Sequence, residues 1–193
     1  MRNFTISLLL SLLTACDPAS SPWLAGEPVK LIIDTNLPKE IKPDLVKTAV
    51  EGRLAQFGMK TSTNGRRSIT VTYDPLCKCP NCMLSGAVSK DMVLAYVNMY
   101  DFDKIKICPN LLTWYPDEGD NIVYSTVAHE MCHVLGLNGH NEAGKGNLCS
   151  PGYMDHGHTK EFSKQDIKDI CSSGGIKSVF CINEHKTSNT YRN

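Results

Sequence analysis

Between positions 129 and 133 the chain reads His-Glu-Met-Cys-His, and a further histidine stands at 140. Histidines four apart lie on one face of a helix about one turn apart, so both imidazoles can reach a single ion. Glu130 lies about 100° round that helix from His129, placed to act on a bound water without being a ligand itself. Zinc lowers the pKa of such a water toward about 7. A carboxylate beside it can take the proton, and the hydroxide can attack a polarised carbonyl. Gly136 follows His133 by three, where a glycine can turn left-handed and end the helix. His140 can then return as a third ligand, and three protein ligands plus water is the open arrangement of catalytic zinc. The expectation is one zinc ion held by His129, His133 and His140, with Glu130 as the base. His156 and His158 could each replace His140, but the spacing after Gly136 favours His140, and His185 reads as a bystander.

The elements that must position these residues can be read from periodicity. Val123, Val127, Met131 and Leu135 recur every four residues, which predicts a helix over about Asn121–Leu135 with an apolar stripe toward the core. Ile122, Thr126, His129 and His133 trace a neighbouring stripe, so the histidines emerge at the edge of the core. Cys132 is off this stripe and is assigned to packing or a disulfide. Upstream, Val29–Asp34 is a β-branched run and Ser68–Tyr73 alternates Ile69, Val71 and Tyr73 against polar neighbours; both read as strands. Asp44 to Phe57 carries Leu45, Ala49, Leu54 and Phe57 near helical spacing, with Gly58 as a stop. Val93–Met99 and Ile105–Cys108 are two more strand candidates, Pro109–Gly119 a loop, and Ser163–Ser172 a last helix with Ser163 and Asp166 at its start. The order implies an α/β (α+β) domain, a small twisted mixed sheet backed by helices. A crossover through the first helix permits a parallel strand pair.

The 193 residues are of one-domain size, and 20 basic side chains balance 20 acidic ones. That balance gives no broad electrostatic grip on nucleic acid. Arg2 precedes an apolar run, Phe4–Leu13, too short to span a bilayer and of signal-peptide type. Leu13-Thr14-Ala15-Cys16 resembles the bacterial lipobox, which implies cleavage before Cys16, lipid on that cysteine and residence in the bacterial cell envelope. Asp17 resembles the inner-membrane retention signal of enteric lipoproteins, implying the periplasmic face of the inner membrane; otherwise the outer membrane or cell surface follows. The expected division is a signal peptide at 1–15, a lipidated cysteine and tether at 16–28, a domain at 29–182 and a polar tail at 183–193. Of the nine cysteines, all but Cys16 make an even set, which in an exported chain reads as a disulfide framework of open connectivity. Cys77, Cys79 and Cys82 could instead hold a second, structural zinc, although disulfides rank ahead in an oxidising compartment.

The run Asn121–His140 (NIVYSTVAHEMCHVLGLNGH) resembles the active-site helix of matrixins and other metzincins, HExxHxxGxxH. Gly139 stands where that family places its third ligand and His140 comes one residue later, a spacing that resembles the archaemetzincin branch. The cysteine motif of that branch is not matched, since Asn141 follows His140. Pro151-Gly152-Tyr153-Met154 looks like the family's Met-turn, and Phe162–Ile167 resembles the start of the matrixin C-terminal helix. The resemblance implies a metzincin-like zincin domain that hydrolyses peptide bonds as a zinc-dependent endopeptidase. Met154 would floor the site, and His156 would take the place of an auxiliary ligand or transition-state group. A peptide substrate would lie extended along an edge strand near Val93–Met99, and the domain would be monomeric and held at the membrane by lipid on Cys16. Two alternatives remain open at this point. One is a gluzincin-type hydrolase with Glu161 as third ligand. The other is a non-catalytic zinc-binding or adhesive envelope lipoprotein on a protease-like fold.

Overall fold

The computed structural model describes residues 23–77, 93–98, 101–114, 119–137, 139–140, 148–149, 161–177 and 181. Alternation makes the central strands. In β4 (Arg67–Tyr73) Ile69 and Val71 are fully buried between half-exposed neighbours, as the period of two requires. β2 (Pro28–Ile33) buries Val29 in the same way. It pairs with β4 in parallel from Val29 opposite Arg67 to Ile33 opposite Val71. The crossover between them is α1 (Pro43–Ala55), which opens on a proline at its first turn with Asp44 there and Arg53 in its last turn. Gly58, at φ 71°, turns the chain after half-buried Gln56 and buried Phe57, and Met59 N–H closes on the Leu54 carbonyl.

The sheet runs β3 (Lys60–Thr61), β2, β4, β6 (Asp101–Ile107) and β5 (Ala95–Asn98). All neighbours are parallel except β5, which runs antiparallel to β6 and forms the outer edge. β6 begins earlier than its apolar residues announce. Its first half is charged apart from Phe102, and Asp103 pairs there with Arg67 of β4 at 2.7 Å.

α3 (Gly119–Val134) packs against α1 on one side and against β5 and β6 on the other. It is buried along nearly its whole circumference, Ser125, Thr126, His129 and Glu130 included. A Cβ on Gly52 of α1 would stand 3.3 Å from the Tyr124 hydroxyl, so a small residue there lets the two helices approach. Within the expected loop at 109–119, Asn110–Trp114 forms a short helix, α2, with Leu111 fully buried as its anchor. Within the stretch expected as a tether, Trp23–Leu24 forms β1, which pairs in parallel with β7 (Ile176–Lys177). Trp23 is buried and its indole N–H donates to the Val134 carbonyl at the end of α3, 2.7 Å away. One aromatic ring among small polar residues carries no periodicity, which is why composition alone hides the strand.

The last helix, α4 (Lys164–Ser172), starts where expected. Ser163 caps it, with Asp166 completing the reciprocal pair of a capping box. Three disulfides brace the described residues: Cys77–Cys108, Cys132–Cys149 and Cys171–Cys181. Cys77 is thus engaged in a disulfide and is not free to hold a second zinc; Cys79 and Cys82 lie outside the described residues. No helix among the described residues is long and apolar enough to cross a membrane.

Candidate metal centre

The helical spacing of His129 and His133 brings their rings together at the end of α3, with centroids 5.5 Å apart and planes at 80°. His140 closes the triangle, its centroid 5.0 Å from that of His129 and 5.1 Å from that of His133. What lets it return is the chain between. Gly136 adopts φ 102°, and a Cβ there would meet the Gly175 Cα at 2.5 Å, so conformation and close approach both demand glycine. Gly139, at φ 89°, takes up the extra residue before His140.

The tautomers are set by backbone carbonyls. The Nδ1–H of His129 donates to the Leu148 carbonyl at 2.6 Å, and that of His133 donates to the Leu137 carbonyl at 2.9 Å. Each ring therefore turns its Nε2 lone pair inward, the orientation that outer partners impose on ligating histidines. The Nε2 atoms of His129 and His140 stand 3.0 Å apart. Two such nitrogens require a proton between them or a cation that both approach, and nitrogens sharing a tetrahedral zinc stand about 3.3 Å apart. All three ligand nitrogens lie within 4.8 Å of one another. This group, with His129 buried, His133 half-buried and His140 exposed, could hold a metal ion.

Electrostatics agree with that use. Burial, reinforced by the neighbouring His133 and His140, holds His129 well below the ordinary histidine pKa. Burial also lowers His133 to about 4, against the opposing pull of the Leu137 carbonyl, and lowers His140. Three neutral imidazoles are three available ligands. Imidazole donors suit zinc, copper, iron and nickel alike.

Glu130 is buried beside the edge strand. Desolvation raises its carboxyl to about 8, a hydrogen bond with the backbone of Val97 in β5 opposing the rise. Its Oε2 is buried with no hydrogen-bond partner among the described residues. An orphaned carboxylate oxygen carries a desolvation cost of about 1–3 kcal/mol, which a water or an incoming N–H would relieve.

A comparison with protein-family models finds none that matches this chain, and a comparison with curated proteins finds no match either.

Of the residues singled out by sequence, the structure gathers His129, His133 and His140 and sets Glu130 on the same helix. Met154, His156, His158 and Cys16 lie outside the described residues. Glu161 is exposed and stands outside the histidine group, within electrostatic reach of Arg53. The carbonyls of Leu137 and Leu148 escape sequence reasoning because any residue supplies a carbonyl. The cysteine at 132 offered a signal: bonded to Cys149, it brings the Leu148 carbonyl to the helix.

Proposed function

We propose that this protein is a zinc-dependent endopeptidase of the metzincin type. The observation that carries the reading is the convergence of three imidazoles, two of them on α3, together with a buried carboxyl on that same helix next to the first. Metal binding alone has no use for Glu130, whose burial costs stability that a proton-transfer role accounts for. A zinc ion at the three nitrogens would supply Lewis acidity toward a scissile carbonyl and acidify a water.

The chain's own residues do the rest. His129 and His133 hold fixed lone pairs, pre-set by the Leu148 and Leu137 carbonyls, so binding needs no tautomer change. Burial alone would keep the Glu130 carboxyl protonated, but a zinc cation beside it would favour the ionised form. Glu130 then accepts the proton of the attacking water, delivers it to the departing amine nitrogen and so returns to a carboxylate at the end of each cycle. β5, the sheet edge that contacts Glu130 through Val97, would take an extended peptide as a further strand. Strand addition there would bring a substrate carbonyl to the histidine cluster whatever the peptide's sequence. Glu161 as a third ligand is disfavoured by its standing outside the histidine group.

The domain's setting follows the N-terminal motif. A lipid on Cys16 would hold it at a bacterial envelope membrane, and three disulfides support an oxidising compartment.

The test is cleavage of a mixed peptide library by soluble residues 20–193 beside a Glu130→Gln partner of equal zinc content. Cleavage by the parent that chelator abolishes and zinc restores is expected, with the variant at least about 100-fold slower. Equal zinc in both proteins and no cut in either would sink the protease and leave a zinc-binding lipoprotein.

A further inference from the structure

We propose that Asp166 is a positioning residue for the metal centre, acting on His129 through the peptide that joins Leu148 to Cys149. The inference rests on the metal-centre reading above and adds a group that never touches the ion.

Asp166 is fully buried at the N-terminus of α4. Capping that helix occupies it only with Ser163, whose backbone N–H and hydroxyl each donate to Oδ2 at 2.9 Å. Two more donors come from a remote segment. Leu148 N–H donates to Oδ2 at 3.0 Å and Cys149 N–H to Oδ1 at 3.1 Å. A helix cap does not need these bonds, and they span the distance between two separate parts of the chain.

Their consequence follows from the geometry of one peptide unit. Cys149 N–H and the Leu148 carbonyl belong to the same planar trans amide and point in opposite directions. The N–H end is held by Asp166 and the C=O end receives the Nδ1–H of His129 at 2.6 Å. Fixing one end of a rigid plane fixes the other. The carboxylate charge also polarises the amide, making the carbonyl a stronger acceptor and the imidazole a better donor of its Nε2 pair. Metal-ligating histidines often bond to a carboxylate directly; here an amide stands between the two. The Cys132–Cys149 disulfide holds the same segment to α3, so the amide is clamped along the chain and across it.

Asp166→Asn keeps the size and one acceptor but removes the charge and turns an NH2 group toward one of the two amides. Three readings decide the matter: zinc affinity by chelator competition, the visible spectrum of the cobalt-loaded protein, and the His129 Nδ1–H resonance of the metal-free protein. Asp166→Asn is expected to lower zinc affinity about 10–100-fold, alter the cobalt spectrum and lose the protected Nδ1–H resonance. Ser163→Ala, which removes the capping hydroxyl and leaves the two remote amides, is expected to lower thermal stability while keeping affinity within about twofold. Should Asp166→Asn fail to fold, Asp166→Glu displaces the carboxylate by one methylene and is expected to give a smaller loss of the same kind. Wild-type affinity and an unchanged His129 resonance in the Asp166 variants would overturn the proposal, as would an equal affinity loss in Ser163→Ala. A wild type that binds no zinc defeats the metal reading instead. The resonance then decides alone: retained in Asp166→Asn it overturns the positioning role, lost it upholds it.

Discussion

His129 and His133 sit one turn apart on one helix, yet they are held in different ways. His133 is oriented by the carbonyl of Leu137, four residues further along the same chain. That carbonyl is itself placed locally, by the Leu137 N–H closing on Cys132 and by the left-handed Gly136. His129 is oriented by Leu148, 19 residues away. The 148–149 segment that carries this carbonyl is bonded to α3 by the Cys132–Cys149 disulfide and to the Asp166 carboxylate of another helix. One ligand is built from a helix end and the other from the packing of three segments. Local supports form with the helix, whereas remote ones form only when the whole domain closes. The His129 side is therefore where the site can be loosened without unfolding the helix that carries it.

The largest effect sets the scale for that comparison. A structural zinc contributes about 10–16 kcal/mol from four ligands, so His129→Ala or His133→Ala should each cost on the order of 3 kcal/mol or more. That corresponds to a loss of about 100-fold in zinc affinity, read by chelator competition. Equal losses are expected, because the difference lies in the supports and not in the nitrogens. A variant that binds zinc as the parent does would remove its histidine from the ligand set.

The next effect separates the two supports. Replacing Cys132 and Cys149 together by alanine removes a bridge across 17 residues, worth about 3 kcal/mol of stability. Zinc affinity should fall with it, and the ring resonances of His129 should broaden while those of His133 stay sharp. Replacing Cys77 and Cys108, which tie the end of β4 to the end of β6 across 31 residues, should cost similar stability and leave affinity unchanged. If both pairs lower affinity alike, the disulfide near His129 has no special part in holding it.

The smallest effect probes the shared end of α3. Trp23→Phe keeps the buried ring and deletes the hydrogen bond to the Val134 carbonyl. Thermal unfolding should register about 1 kcal/mol, with zinc affinity unchanged. A loss of affinity there would mean that His133, the residue before Val134, is also supported remotely, and the contrast between the two ligands would collapse.

Much of this arrangement is legible in the residues themselves. Four-residue spacing puts His129 and His133 on one face, and glycine three beyond the second histidine marks the turn that brings His140 back. Alternation at Ile69 and Val71 places β4, and Ser163 with Asp166 places the start of α4. The strands at Trp23–Leu24 and Ile176–Lys177 are not legible: two residues carry no period, and their pairing joins opposite ends of the chain. α2 is hidden for a related reason, since five residues fall short of a helical repeat and its anchor is the single buried Leu111.

The three histidines, their spacing, the carboxylate between the first two and the glycine that ends the helix can be read along the chain, because they depend on neighbours within a turn or two. The pairing of Cys132 with Cys149, the burial of Glu130 against the edge strand, and the bonds of Asp166 to the 148–149 amides as well as to its own helix arise only when distant segments pack. Backbone N–H and C=O groups are the same in every residue, so their partners become definite only when distant segments pack and each buried group must find one. The imidazole nitrogens are written in the chain, and the carbonyl that aims His129 is supplied by the fold.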